Sequence, residues 1–103
     1  MIRILFLCSA GMSTSILVNN MRKYAGPDDE IKACPLGELE YKIEDCDVIL
    51  VSPQIRFQYD LIRDMAETYG KKAALIDPYA YSHMEEAKIL QQALDLMLDN
   101  SIV

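Results

Sequence analysis

Four short apolar runs, separated by stretches of helical spacing, constrain this chain more than any other feature. Residues 2–7 (Ile2-Arg3-Ile4-Leu5-Phe6-Leu7) form a short, nearly continuous apolar run, the mark of a strand covered on both faces. Residues 30–34 alternate weakly and stop at Pro35, which predicts a second, shorter strand. Asp47-Val48-Ile49-Leu50-Val51-Ser52 is the clearest internal strand and Pro53 ends it; Lys72 to Ile76 gives a fourth, stopped by Asp77-Pro78. Between the first two, Leu17, Met21 and Tyr24 share a helical face, with Ser13 or Thr14 as its cap and Gly26-Pro27 as its stop. Residues 36–43 predict a brief helix. Ile55, Tyr59, Ile62, Ala66 and Tyr69 recur at helical spacing up to Gly70, and Met84, Ala87, Leu90, Leu94 and Met97 mark an amphipathic C-terminal helix.

Strands that alternate with helices imply an α/β fold, an open parallel sheet with helices on both faces. Right-handed crossovers favour a four-stranded order 2-1-3-4. The 103 residues read as one domain, 1–103, large enough for a core without disulfides or metals. In that order the chain reverses direction beside the first strand, and ligands of such folds bind at the carboxyl ends of strands near that point. Cys8 occupies it. Pro35, Ser52-Pro53-Gln54 and Asp77-Pro78-Tyr79 open on the same edge.

After Cys8 come Ser9, Ala10, Gly11, Met12, Ser13, Thr14 and Ser15, all small except Met12. Small residues let backbone N–H groups turn inward, and the helix that follows points its positive end at the same spot. This is a phosphate cradle with a nucleophile at its lip, and a thiol there is biased toward thiolate. A buried apolar cysteine at the end of a core strand is the competing reading, and the hydroxyl-rich loop speaks against it. Cysteine phosphatases use a similar device but place an arginine six residues after the cysteine, where its fork grips the phosphate oxygens. Here that position is Thr14. A hydroxyl without charge helps hydrolysis less, which suits a carrier that holds its phosphoryl group until an acceptor arrives.

Gln54, Asp77 and Tyr79 are candidates for the rim. Asp77-Pro78-Tyr79 resembles the general-acid segment of low-molecular-weight tyrosine phosphatases; the alternative is a turn residue and a helix-starting proline. His83, the only histidine, reads as surface filler at the start of the last helix, and Arg56 as a solvated helix residue.

A net charge of −6 with scattered basic residues excludes nucleic acid as a partner. Cys8, Cys34 and Cys46 give an odd count without metal-ligand spacing, so neither a disulfide framework nor zinc is expected. Cys34 and Cys46 read as buried small hydrophobes, the alternative being a resolving thiol for Cys8. The loop has no aspartate cluster that would call for a metal, and no cofactor is expected. The run before Cys8 is too short for a signal-peptide core and Leu7 is too bulky for a cleavage site, so a soluble cytoplasmic protein is expected.

The run Leu7-Cys8-Ser9-Ala10-Gly11-Met12-Ser13-Thr14-Ser15 resembles the signature of IIB components of the bacterial sugar phosphotransferase system, lactose/cellobiose/diacetylchitobiose class. Asp47-Val48-Ile49-Leu50-Val51 followed by Pro53-Gln54-Ile55 resembles that family's second marked segment. The resemblance implies a phosphorelay: a phosphohistidine on the IIA protein passes its phosphoryl group to Cys8, which passes it to a sugar at the membrane IIC permease. The sugar implied is a β-linked disaccharide such as cellobiose, lactose or diacetylchitobiose. Cys8 carries over as the catalytic residue, Ser9 to Ser15 as its phosphate cradle and Gln54 as a lining residue. Ser52 stands where glycine is expected in many relatives, and Asp77-Pro78 is not a family feature. A monomer fits the transient role. The alternative functions are a low-molecular-weight cysteine phosphatase-like enzyme, a thiol redox protein of arsenate-reductase type, and a regulatory domain that binds phosphate.

Overall fold

The computed structural model describes residues 2–8 and 12–98. Four strands, β1 (Arg3–Cys8), β2 (Glu30–Pro35), β3 (Val48–Val51) and β4 (Lys72–Leu75), pair in parallel in the order β2-β1-β3-β4. The expected order is the observed one. Five α-helices accompany them among the described residues: α1 (Met12–Met21), α2 (Leu39–Lys42), α3 (Tyr59–Thr68), α4 (Pro78–Ser82) and α5 (Glu86–Leu98).

The pleat of the two central strands divides the core. Ile4, Phe6, Val48 and Leu50 pack against Leu17, Val18 and Met21 of α1 and Ile89, Leu90 and Ala93 of α5. Leu5, Leu7, Ile49 and Val51 point the other way, onto Leu39, Ile43, Ile55, Ile62 and Ala66. Helices therefore cover both faces, which is why β1 and β3 are apolar runs and do not alternate with polar residues. No helix among the described residues is long and apolar enough to cross a membrane.

Several local expectations are corrected. Helix α1 begins at Met12, so Ser13 and Thr14, expected at its start, lie inside its first turn. Its tail tightens into a 3-10 turn, Arg22–Tyr24, which changes the angular phase; Tyr24 turns out to solvent and Val18 completes the buried stripe. The third helical stretch opens as a 3-10 turn, Pro53–Gln58, with Ile55 off helical geometry, and becomes α3 at Tyr59. Tyr69, just past α3, is half-exposed, and Gly70 supplies the positive φ of 71° that turns the chain.

The C-terminal helical region is two helices. Met84 has φ 53°, the Met84 N–H donates to the Tyr81 carbonyl at 3.2 Å, and the Glu85 N–H donates to the Ala80 carbonyl at 2.9 Å. This left-handed cap ends α4. Met84 thus belongs to a turn, Ala87 is exposed, and the buried stripe of α5 is Ile89, Leu90 and Ala93. His83 closes α4 and does not start the last helix.

Two aspartates lock the amino ends of the strands. Asp29 accepts the Gly26 and Ile2 N–H groups, each at 2.9 Å, and these bonds hold its carboxyl below the ordinary 3.8. Burial pushes the Asp47 carboxyl up, but bonds from the Arg3 side chain and backbone, with the guanidinium charge, leave it lowered on balance. A depressed folded pKa means that the unfolded chain takes up protons first as pH falls. The contribution is full above the ordinary carboxylate value of about 3.9 and is lost as pH drops through the folded values. Denaturant midpoints measured from pH 6 to pH 2 are expected to fall steeply below about pH 4, and Asp29→Asn with Asp47→Asn to flatten that limb.

Both sheet edges are closed by side chains. In β4 the Lys72 and Ile76 N–H groups donate toward β3, so Ala73 and Leu75 face outward. Their carbonyls accept from the Tyr59 hydroxyl at 3.1 Å and from Gln92 Nε2 at 2.9 Å. On β2, Arg22 clamps the Ile31 carbonyl through Nε at 3.0 Å and Nη2 at 2.7 Å. Open edges invite strand addition. Tyr59→Phe with Gln92→Leu is therefore expected to cause concentration-dependent association in sedimentation velocity, with the wild type monomeric under the same conditions.

Candidate functional site

Cys8 is the last residue of β1 and is buried, 6 % exposed. Its strand sits between β2 and β3 in the sheet, so the chain that follows emerges at the carboxyl edge where the sheet order reverses. Four residues later α1 begins at Met12. The thiol donates to the Cys34 carbonyl at 3.7 Å, a contact across the β1–β2 pairing. Of the expected cradle, Ser9, Ala10 and Gly11 lie outside the described residues. The backbones of Met12, Ser13, Thr14 and Ser15 form the first turn of α1, whose amide groups are the orphan donors of a helix start.

The turn after β3 is the nearest neighbour on the other side. The Ser52 N–H donates to the Leu7 carbonyl at 3.0 Å, which carries the β1–β3 pairing one step beyond Leu7 and Val51. Ser52 is fully buried, and its hydroxyl oxygen accepts from the Gln54 N–H at 3.2 Å, capping the 3-10 turn that begins at Pro53. This turn presents Gln54 and Arg56, both exposed, beside the strand that carries Cys8.

Asp77 and Tyr79 lie farther along the same edge. They follow β4, which β3 separates from β1, roughly two strand spacings or about 10 Å of sheet from Cys8. The Asp77 carboxylate accepts from the Tyr79 N–H at 3.3 Å and caps α4. Tyr79 stacks on His83 with ring centres 3.9 Å apart, and His83 Nδ1 lies 2.9 Å from the Tyr79 carbonyl. A carbonyl can only accept, so Nδ1 is assigned the proton. The segment has a complete structural account as a capped short helix.

The other two cysteines face away from the site. Leu7 pairs with Cys34 in the register, and both belong with Cys46 to the core under α2 and α3. Strand alternation puts the Cys8 side chain on the opposite face, with Ile4 and Phe6. Burial pushes both the Cys34 and Cys46 thiols up to about 11, and Cys46 donates to the Ile43 carbonyl at 3.2 Å. They behave as the small hydrophobes expected from the sequence.

Sequence reasoning singled out Cys8 and its flanks from residue size and order. It missed the weight of Ser52, whose signal was a hydroxyl at the end of a buried strand, directly before a proline. No group of histidine, cysteine or carboxylate side chains among the described residues is arranged to hold a metal.

Comparison with known proteins matches residues 3–92 to the family model described as "PTS system, Lactose/Cellobiose specific IIB subunit". The chain is 35 % identical over 100 residues to the oligo-beta-mannoside-specific EIIB component of Bacillus subtilis, covering 94 % of this chain and 97 % of that protein. It is 35 % identical over 98 residues to the cellobiose-specific EIIB component of Lactococcus lactis, covering 87 % and 91 % respectively. Among solved structures, the cellobiose-specific phosphotransferase IIB component from Borrelia burgdorferi superposes with a TM-score of 0.76 at 33 % identity, over 92 % of this chain and 90 % of the other.

Proposed function

Because this chain belongs to the lactose/cellobiose-specific IIB family of the sugar phosphotransferase system, we propose that it is a cytoplasmic single-domain phosphocarrier whose acceptor is Cys8. The observation that carries the reading is the position of Cys8, at the carboxyl end of a central strand with the start of α1 four residues beyond it. A phosphoryl group on the thiol would meet the positive end of the helix and its unpaired N–H groups.

In the first transfer the Cys8 thiolate attacks phosphorus in line. The P–N bond of the phosphohistidine on IIA breaks as the S–P bond forms, and the released imidazole takes up a proton equivalent to the one the thiol lost. In the second, a sugar hydroxyl bound at the IIC permease attacks the same phosphorus. Its O–P bond forms as the S–P bond breaks, and the hydroxyl proton balances the returning thiolate. Positioning and charge neutralisation carry both steps. On this reading Ser9 to Ser15 are the residues assigned to hold the phosphate, with Gln54 lining the site from the β3 side. The relatives are named for oligo-beta-mannoside and cellobiose, which favours a β-linked sugar as the final acceptor.

Exposed Phe57 on the turn after β3 and Ile16 on α1 flank this edge and supply apolar anchors for transient docking of IIA and IIC. The test is intact mass after incubation with phosphoenolpyruvate, the general relay proteins and a cognate IIA. One phosphate per chain, mapped to Cys8, is expected; a chain that stays unmodified while IIA is fully phosphorylated would overturn the reading.

A further inference from the structure

The side chains of Cys8 and Ser52 are neighbours on one face of the sheet. The β1–β3 register pairs Ile4 with Val48 and Phe6 with Leu50, and the Ser52 N–H bond to the Leu7 carbonyl continues it to Cys8 and Ser52. Ile4, Phe6, Val48 and Leu50 all enter the core under α1 and α5, so Cys8 and Ser52 complete the same two rows. Ser52 keeps extended backbone angles (φ −62°, ψ 141°), which preserves the alternation. Paired residues on adjacent strands lie about 5 Å apart.

Ser52 is also fully buried, at 0 % exposure. A hydroxyl has one donor and two acceptor sites. The oxygen accepts from the Gln54 N–H, while the O–H has no acceptor among the described residues. The thiol, for its part, turns toward β2, where the Cys34 carbonyl takes its hydrogen at 3.7 Å. That arrangement suits the protonated sulfur alone, since a carbonyl oxygen repels a thiolate.

We propose that Ser52 is the hydrogen-bond donor to the Cys8 thiolate in its attack-ready state. When the S–H proton passes to solvent, the sulfur loses its partner on β2, rotates between staggered χ1 positions and accepts the Ser52 O–H, which keeps its own proton. The Gln54 N–H holds the Ser52 oxygen in place for this. The role in phosphoryl transfer rests on the relay reading above; the contact itself does not.

The experiment compares wild type, Ser52→Ala and Ser52→Thr by two rates. The first is alkylation of Cys8 by iodoacetamide at pH 7, located by peptide mass, which needs no relay protein; burial holds Cys34 and Cys46 protonated and out of the reaction. The second is phosphoryl acceptance from phospho-IIA under saturating and limiting donor. Ser52→Ala is expected to slow alkylation about tenfold, the scale of a hydrogen bond to a charged group, and to lower kcat by a similar factor with KM unchanged. Ser52→Thr, which keeps the hydroxyl, is expected to restore both rates to within about threefold of wild type.

A purely structural cap would show a lower Tm in Ser52→Ala with the alkylation rate of the folded protein unmoved, and that result overturns the proposal. So does faster alkylation in Ser52→Ala. If wild type accepts no phosphoryl group while Ser52→Ala still slows alkylation, the relay reading fails and the Ser52–Cys8 contact stands.

Discussion

Cys8→Ser is expected to abolish stoichiometric phosphoryl acceptance, with any residual rate down at least about 10³-fold, the scale of a missing general base. A serine hydroxyl is not ionised at neutral pH and needs a base to become a nucleophile. The described groups offer none at this position. The atom in contact with the thiol is the Cys34 carbonyl oxygen, His83 is committed to Tyr79 on α4, and Asp77 caps that same helix two strands away. The substitution is close to isosteric, so the fold is expected to survive. Circular dichroism and Tm near wild type would then assign the loss to chemistry. Retained stoichiometric phosphorylation of the variant would move the acceptor elsewhere.

Phe6→Ala is expected to cost about 3–5 kcal/mol, the range for truncating a buried aromatic. The total stability of a domain this size is about 5–15 kcal/mol, so a large share is at stake. Phe6 is fully buried in the central strand two residues before Cys8, among Ile4, Leu17, Val48 and Ile89. Its ring also meets Tyr81 of α4 with centres 6.3 Å apart. The cavity would therefore loosen both the strand that ends in Cys8 and the short helix beyond β4. A fall in Tm of more than about 12 °C is expected, taking about 4–8 °C per kcal/mol for a small domain; a shift under 3 °C would mean that the core collapses around the missing ring at little cost. The functional consequence follows from position: β1 is the element that presents the thiol.

The legible part of this protein was local. Ile2 to Leu7 and Val48 to Val51 are strands that must be covered on both faces, and such runs bounded by helical spacing leave little choice but a parallel sheet. Cys8 followed by small residues was equally plain, because that pattern lies in consecutive residues. The misread segments are those where a tertiary contact outvoted spacing. Met84 and Ala87 have helical spacing with Leu90, yet the Schellman-type bonds at Tyr81 and Ala80 break the helix so that α4 and α5 can each lie against the sheet. Asp77-Pro78 reads as a turn residue and a helix-starting proline, and the structure agrees: the Asp77 carboxylate caps α4 through the Tyr79 N–H, two strands along the sheet from Cys8.

By itself, then, the sequence determined the order of the strands along the chain and the sheet type, and it singled out Cys8 at the end of the first strand, since each depends on residues adjacent in the chain or on their period. Only the tertiary structure decided which residues meet Cys8. Register and pleat bring Ser52, 44 positions along the chain, to its side, and turn Cys34 and Cys46 to the far face. A one-residue slip of β3 against β1 would take Ser52 off the face of Cys8, and one of β2 would turn Cys34 toward it; hydrogen-bond register between strands has no signature in composition or spacing.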